Sequence, residues 1–159
     1  MAVGSNPTGP TLGVPCVVWW FMDDLQLNIE KLRNKFVPGW LNVIDVDGGW
    51  YQLVIDCDKE LTELDPDYRV HQIKEKFGKL RYYIRQADEC GLDTLEKMNA
   101  VIRKYEDVSS ITCEATGDPG VLMRSVGGWL KTLSPVYASE SLHYARYTLA
   151  APPTDVVGP

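Results

Sequence analysis

The spacing of apolar positions changes period several times along the chain, and each change marks an element. Leu25, Ile29, Leu32 and Phe36 recur at helical spacing, one stripe of an amphipathic helix over about 23–36 that Pro38-Gly39 ends. A second helix is predicted over about 50–64, with Leu53, Val54, Cys57, Leu61 and Leu64 on one face and Asp65-Pro66-Asp67 closing it. Cys57 on that stripe reads as a small core residue, not a nucleophile. Residues 69–86, RVHQIKEKFGKLRYYIRQ, switch to a two-residue period and read as a β-hairpin turning on Gly78-Lys79. That register sets Phe77 opposite Leu80, Glu75 opposite Tyr82 and Ile73 opposite Ile84. His71, Ile73, Phe77, Leu80, Tyr82 and Ile84 then face the helices, while Val70, Gln72, Lys74, Lys76, Arg81, Tyr83 and Arg85 face outward. A third helix over about 93–105 opens with Asp93 and Glu96 spaced as a capping box and carries Leu95, Met98, Ile102 and Tyr105 as its stripe.

Beyond Ser109-Ser110 the pattern becomes short β: Ile111 to Cys113, Val121 to Arg124 and Trp129 to Leu133, with Gly-rich turns between them. The fold class is therefore α+β. Two amphipathic helices, a hairpin and a third helix make a core over 22–108, followed by a three-stranded ribbon-like β module over 109–138. Residues 139–159 hold one helical turn and a Pro-rich end, expected to fray.

At 159 residues the chain suits one compact domain, and 45% hydrophobic with 24% charged residues excludes disordered and fibrous classes. The net charge of −6 excludes a protein whose whole surface clamps nucleic acid and confines any such role to a local patch. Four scattered cysteines without a C-x-x-C pair point to reduced thiols and a cytoplasmic protein of the host cell. The apolar run Val14 to Met22 is far short of the roughly 20 residues of a membrane span, and no membrane partner is expected.

Residues 1–15, MAVGSNPTGPTLGVP, lack apolar periodicity, and residues 1–21 are expected to form a flexible leader foreign to the domain. Gly4-Ser5-Asn6-Pro7 resembles the T-arm stretch of a transfer-RNA gene read as codons. That resemblance implies Met22 as an alternative start, and a gene beside a transfer-RNA gene, where phages and mobile elements integrate. An ordinary disordered arm is the other reading.

Gly49-Trp50-Tyr51, Leu64-Asp65-Pro66-Asp67-Tyr68, the block Lys74-Glu75-Lys76-Phe77-Gly78 with Leu80-Arg81-Tyr82-Tyr83, Thr112-Cys113-Glu114 and Gly127-Gly128-Trp129-Leu130-Lys131-Thr132-Leu133 together resemble an uncharacterised family of phages and actinobacteria. The resemblance covers about half the chain and implies a C-terminal zinc ribbon with ligands at Cys113, Thr116, Ser134 and Tyr137. Only Cys113 of these ligates zinc, and one thiolate cannot close a tetrahedral site. His143 lies too far on to restore the set. The expectation is a ribbon-shaped module without its metal, its stability supplied by Leu122, Trp129, Leu130, Leu133 and Tyr137, and a protein without a cofactor.

Residues 69–86 carry six basic side chains against Glu75 alone, leaving −11 for the rest of the chain. Lys74, Lys76, Arg81 and Arg85 with Tyr83 between them form a basic face able to hold phosphates and stack a base, or simply a solvated strand face. Glu75, Tyr82 and His71 on the other face could assemble an acid–base site, or a structural hydrogen-bond network. No phosphate loop, H-E-x-x-H or dinucleotide fingerprint is present. Trp40 and Trp129 are candidate anchors of a protein interface. These residues point to a small non-enzymatic accessory protein of phage, prophage or mobile-element origin that binds a host or phage protein, modulating a defence or regulatory complex. The alternatives are a nucleic-acid binder using the hairpin and an enzyme using the Glu/Tyr/His trio. Nothing in the chain sets an oligomeric state.

Overall fold

The computed structural model describes residues 16–150, with side chains described from Asp24 onward. The transfer-RNA-like stretch and the last nine residues lie outside the described residues. The first helix, α1, spans Cys16–Arg33, so residues 16–21 belong to a helix and not to the expected leader. Phe36, expected as the last residue of the helical stripe, lies beyond the helix. Residues 35–37 run beside Val70, whose N–H donates to Lys35 O and whose carbonyl accepts from Val37 N–H. Gly39, at φ 86°, then turns the chain so that Trp40 N–H donates to Val37 O.

Strand β1 is the short segment Ile44–Asp45, and a 3-10 turn at Gly48–Trp50 leads into α2, Tyr51–Leu64. Strands β2, Arg69–Lys76, and β3, Lys79–Arg85, form the hairpin, and β1 adds to β2 in parallel with Ile44 opposite Ile73. Helix α3 follows at Leu92–Ser109. The helices gather on one face of the sheet, where Ile29, Leu32, Trp50, Val54, Cys57, Leu61, Met98 and Tyr105 pack on Val70, Ile73, Leu80 and Tyr82. Ser109 Oγ accepts from Leu80 N–H at 2.9 Å, so the end of α3 closes the outer edge of β3.

Three local expectations are corrected. The capping box does not form: Gly91 is the N-cap, Asp93 falls inside the first turn and pairs with Lys97 at 2.6 Å. The hairpin turns one residue earlier, on Phe77-Gly78 at φ 56° and 77°, both positive as a type I′ turn requires. Glu75 therefore faces Leu80 and Ile73 faces Tyr82. Cross-strand pairing shifts by two residues, so most side chains keep their expected face. Phe77 leaves the apolar face and is 66% exposed. An irregularity between Val70 and Gln72 turns Val70 inward, where it is fully buried.

In the C-terminal part, β4 spans Val121–Ser125, β5 Leu130–Leu133, α4 Pro135–Glu140 and β6 Tyr147–Leu149. The sheet order is β5-β4-β6. The third strand thus comes from the segment expected to fray, while residues 111–113 contribute only the bridge Thr112 to Pro119. Ser134 and Pro135 start α4: Pro fits the first turn, and Ser134 Oγ accepts from Tyr137 N–H. No helix among the described residues is long and apolar enough to cross a membrane.

The 3-10 turn before α2 and the loop ahead of β4 meet at close backbone contacts. A Cβ at Gly49 would lie 2.4 Å from Gly117 N and 2.6 Å from Cys113 O, whereas one at Gly48 would meet nothing within 4 Å. Gly49→Ala is therefore expected to destabilise the protein by about 2 kcal/mol or more and Gly48→Ala by less than about 0.5, read by urea unfolding. Equal effects would mean that the contact relaxes freely.

Candidate functional site

On the outer face of the hairpin three cross-strand pairs carry like charge: Arg69 opposite Arg85, Lys74 opposite Arg81 and Lys76 opposite Lys79. Each such pair works against the sheet. Helix α3 relieves the β3 side, with Glu106 3.2 Å from Arg81 and Asp107 3.4 Å from Lys79. On β2, Lys74 stands 5.8 Å from the centroid of the Tyr83 ring and Lys76 5.3 Å from that of Phe77. Arg69, Lys74, Lys76 and Arg85 have no ion-pair partner among the described residues.

A cleft of about 570 Å³ crosses this face. Gln72, Lys74 and Tyr83 form its floor, Trp40 and His71 one wall, and Asn99, Ile102 and Glu106 of α3 the other. The Trp40 and His71 rings lie 4.7 Å apart, and Trp40 remains 57% exposed. His71 Nδ1 is shielded from solvent and has no hydrogen-bond partner among the described residues. Sequence reasoning found Lys74 and Tyr83 but not this cleft, to which Trp40 and α3 bring residues from outside the hairpin; Lys76, Arg81 and Arg85 do not line it. Trp129, 76% exposed, stands elsewhere, flanking a second hollow of about 430 Å³ beside Phe77 and Gly127-Gly128.

The expected trio is not assembled. Tyr82 OH is 3.0 Å from Tyr68 OH, which in turn donates to Asp58, and Asp58 also takes Lys35 Nζ at 2.6 Å. Glu75 accepts from Gly78 N–H and holds the turn, while His71 lies against Trp40. Burial pushes the Tyr68 and Tyr82 phenols and the Cys57 thiol up, with Asp58 adding in the same direction. All three stay protonated at neutral pH.

The four ribbon positions are used differently. Cys113 is buried among Met123, Leu133, Ala138 and Tyr144, and Tyr137 packs against that cluster. Thr116 Oγ1 accepts from Asp118 N–H, and the Ser134 hydroxyl is occupied as a helix cap. His143 stacks edge-on to Tyr144 at 4.6 Å. No group of three His, Cys, Asp or Glu able to hold a metal occurs among the described residues.

Sequence reasoning missed the joint between the sheets. Lys131 Nζ lies 2.7 Å from Glu114 Oε2 and 3.1 Å from Asp47 Oδ2, and Tyr144 OH donates to the same Asp47 oxygen. Asp47 N–H donates to Glu114 Oε1, and Trp50 Nε1–H donates to Thr112 O at 2.7 Å. Glu114 is 1% exposed. Burial raises its carboxyl above the ordinary value, outweighing the nearby ammonium, while its carboxylate partners raise Lys131 despite desolvation. No family model, curated protein or solved structure matches the chain.

Lys131→Met leaves Glu114 buried without its cation, and the expected loss is about 3–5 kcal/mol at pH 7. A carboxyl raised in the folded state favours folding at acid pH and loses that contribution as pH rises through the folded pKa. Removing the ammonium raises it further, so the deficit should shrink from pH 7 to pH 5, and Glu114→Gln in the same chain should recover much of it. A deficit that does not change with pH, followed by urea unfolding, would place its origin in lost packing of the lysine stem.

Proposed function

We propose that the protein is a small non-enzymatic binding protein that recognises another protein through the outer face of its hairpin. The observation that carries this reading is the walled cleft, which combines the unpaired Lys74 with exposed aromatic rings at its wall and floor. Such a combination supplies both steering and anchoring contacts. A protein partner is favoured over nucleic acid because Lys74 is the single Lys or Arg side chain lining the cleft, enough for one carboxylate but not for a run of phosphates. A polyphosphate chain leaving the cleft also meets the field of an otherwise acidic molecule. The resemblances in the sequence support an accessory protein of phage, prophage or mobile-element origin that acts on a host defence or regulatory complex in the cytoplasm.

A photo-crosslinking residue in place of Tyr83 is expected to give protease-sensitive, nuclease-resistant adducts in the host cell, and the same residue in place of Lys59 on α2 none. Oligonucleotide binding is expected to be weak and nearly independent of salt. Steeply salt-dependent binding abolished by Lys74→Glu with Arg81→Glu would instead assign the face to nucleic acid.

A further inference from the structure

The cleft also specifies the chemistry of what it takes. Resting on the reading of the hairpin face as a protein-binding surface, we propose that it receives an extended acidic peptide segment in which a carboxylate side chain neighbours an apolar one. The carboxylate meets Lys74, and the apolar side chain lodges against Trp40 and Ile102.

Two features converge on that ligand. The first is charge: Lys74 and Arg81 face each other across the strands, and Glu106 neutralises only Arg81. A carboxylate beside Lys74 removes the remaining repulsion, which an amide or a second cation cannot do. The second is the wall. Trp40 lies tilted against His71 and keeps more than half its surface in solvent, in the cleft that the aliphatic Ile102 also lines. An apolar side chain entering between them removes exposed aromatic area from water. Gln72 and Asn99, lining the same cleft, add amides that match a peptide backbone. The volume of about 570 Å³ suits a few residues rather than a folded domain.

The test is a titration of the isotope-labelled full chain, followed by amide and indole resonances. Four probes are used: a capped hexapeptide of alternating Leu and Asp, its Leu/Lys and Gly/Asp counterparts, and oligothymidylate. The Leu/Asp peptide is expected to shift the Trp40 indole and the amides of Gln72, Lys74 and Tyr83. Lys74→Glu should weaken that binding at least about tenfold, while Lys59→Glu leaves it unchanged. The dispersion of each variant's spectrum reports that it is folded. Equal binding of the Leu/Lys peptide overturns the carboxylate, and equal binding of the Gly/Asp peptide overturns the apolar anchor. Oligothymidylate shifting the cleft in place of peptide overturns this inference together with the protein-binding reading. Silence from all four probes, with Tyr83 still crosslinking to protein, overturns the inference alone.

Discussion

The ammonium of Lys131 on β5 holds two carboxylates from distant parts of the chain, Asp47 before α2 and Glu114 at the start of the C-terminal module. Burying Glu114 is unfavourable in isolation, and the arrangement persists because every member of the cluster is satisfied, Tyr144 OH and Asp47 N–H included. An ion cluster of this kind adds little net stability but fixes orientation, since any other docking angle would strand a buried charge. Around it the backbones approach at Gly49 and Gly117, and Thr132 Oγ1 donates to Gly78 O at 2.6 Å. The C-terminal sheet is thereby seated on the tip of the hairpin and the start of α2.

That seating decides which surface stays open. With the helices on the inner face of β1-β2-β3 and the second sheet against the tip, the outer face keeps its basic side chains in solvent. The like-charged pairs there each weaken the sheet by a few tenths of a kcal/mol to about 1 kcal/mol. The fold tolerates this because the inner face is fully buried, from Val70 and Ile73 to Leu80 and Tyr82.

How much of this was legible in the sequence follows from the distance over which each signal acts. The body of α2, the body of α3 and the two strands of the hairpin were readable because their apolar periods are local. The turn was not: Gly78 satisfies a positive φ at either central position, and only the Glu75 carboxylate on Gly78 N–H and the packing of Gly78 on Leu122 and Thr132 select the earlier register. Strand β1 is two residues long, and β6 lies in a polar segment whose pairing with β4 has no local signature. The cations of the candidate site and Tyr83 were visible because they alternate. The Glu75, Tyr82 and His71 trio failed because it depended on the register, and because Tyr68, given no structural role in the sequence reading, takes the Tyr82 hydroxyl. The joint was invisible, since its members are 67 and 84 residues apart.

Phe77 shows where local preference and global structure disagree most. A left-handed turn position favours Gly, Asn or Asp, and an exposed aromatic there gains almost no burial. The neighbouring Gly78 sits at φ 77°, where any side chain is strained, and a Cβ there would also displace Leu122 Cδ1. The chain therefore accepts strain at Phe77 in order to place Gly78 under the second sheet. The aromatic ring is carried outward as a consequence, beside Lys76 and at the edge of the hollow that Trp129 flanks. Its exposure follows from docking of the two sheets, whereas that of Trp40 does not: nothing in the packing of the core requires an indole over His71.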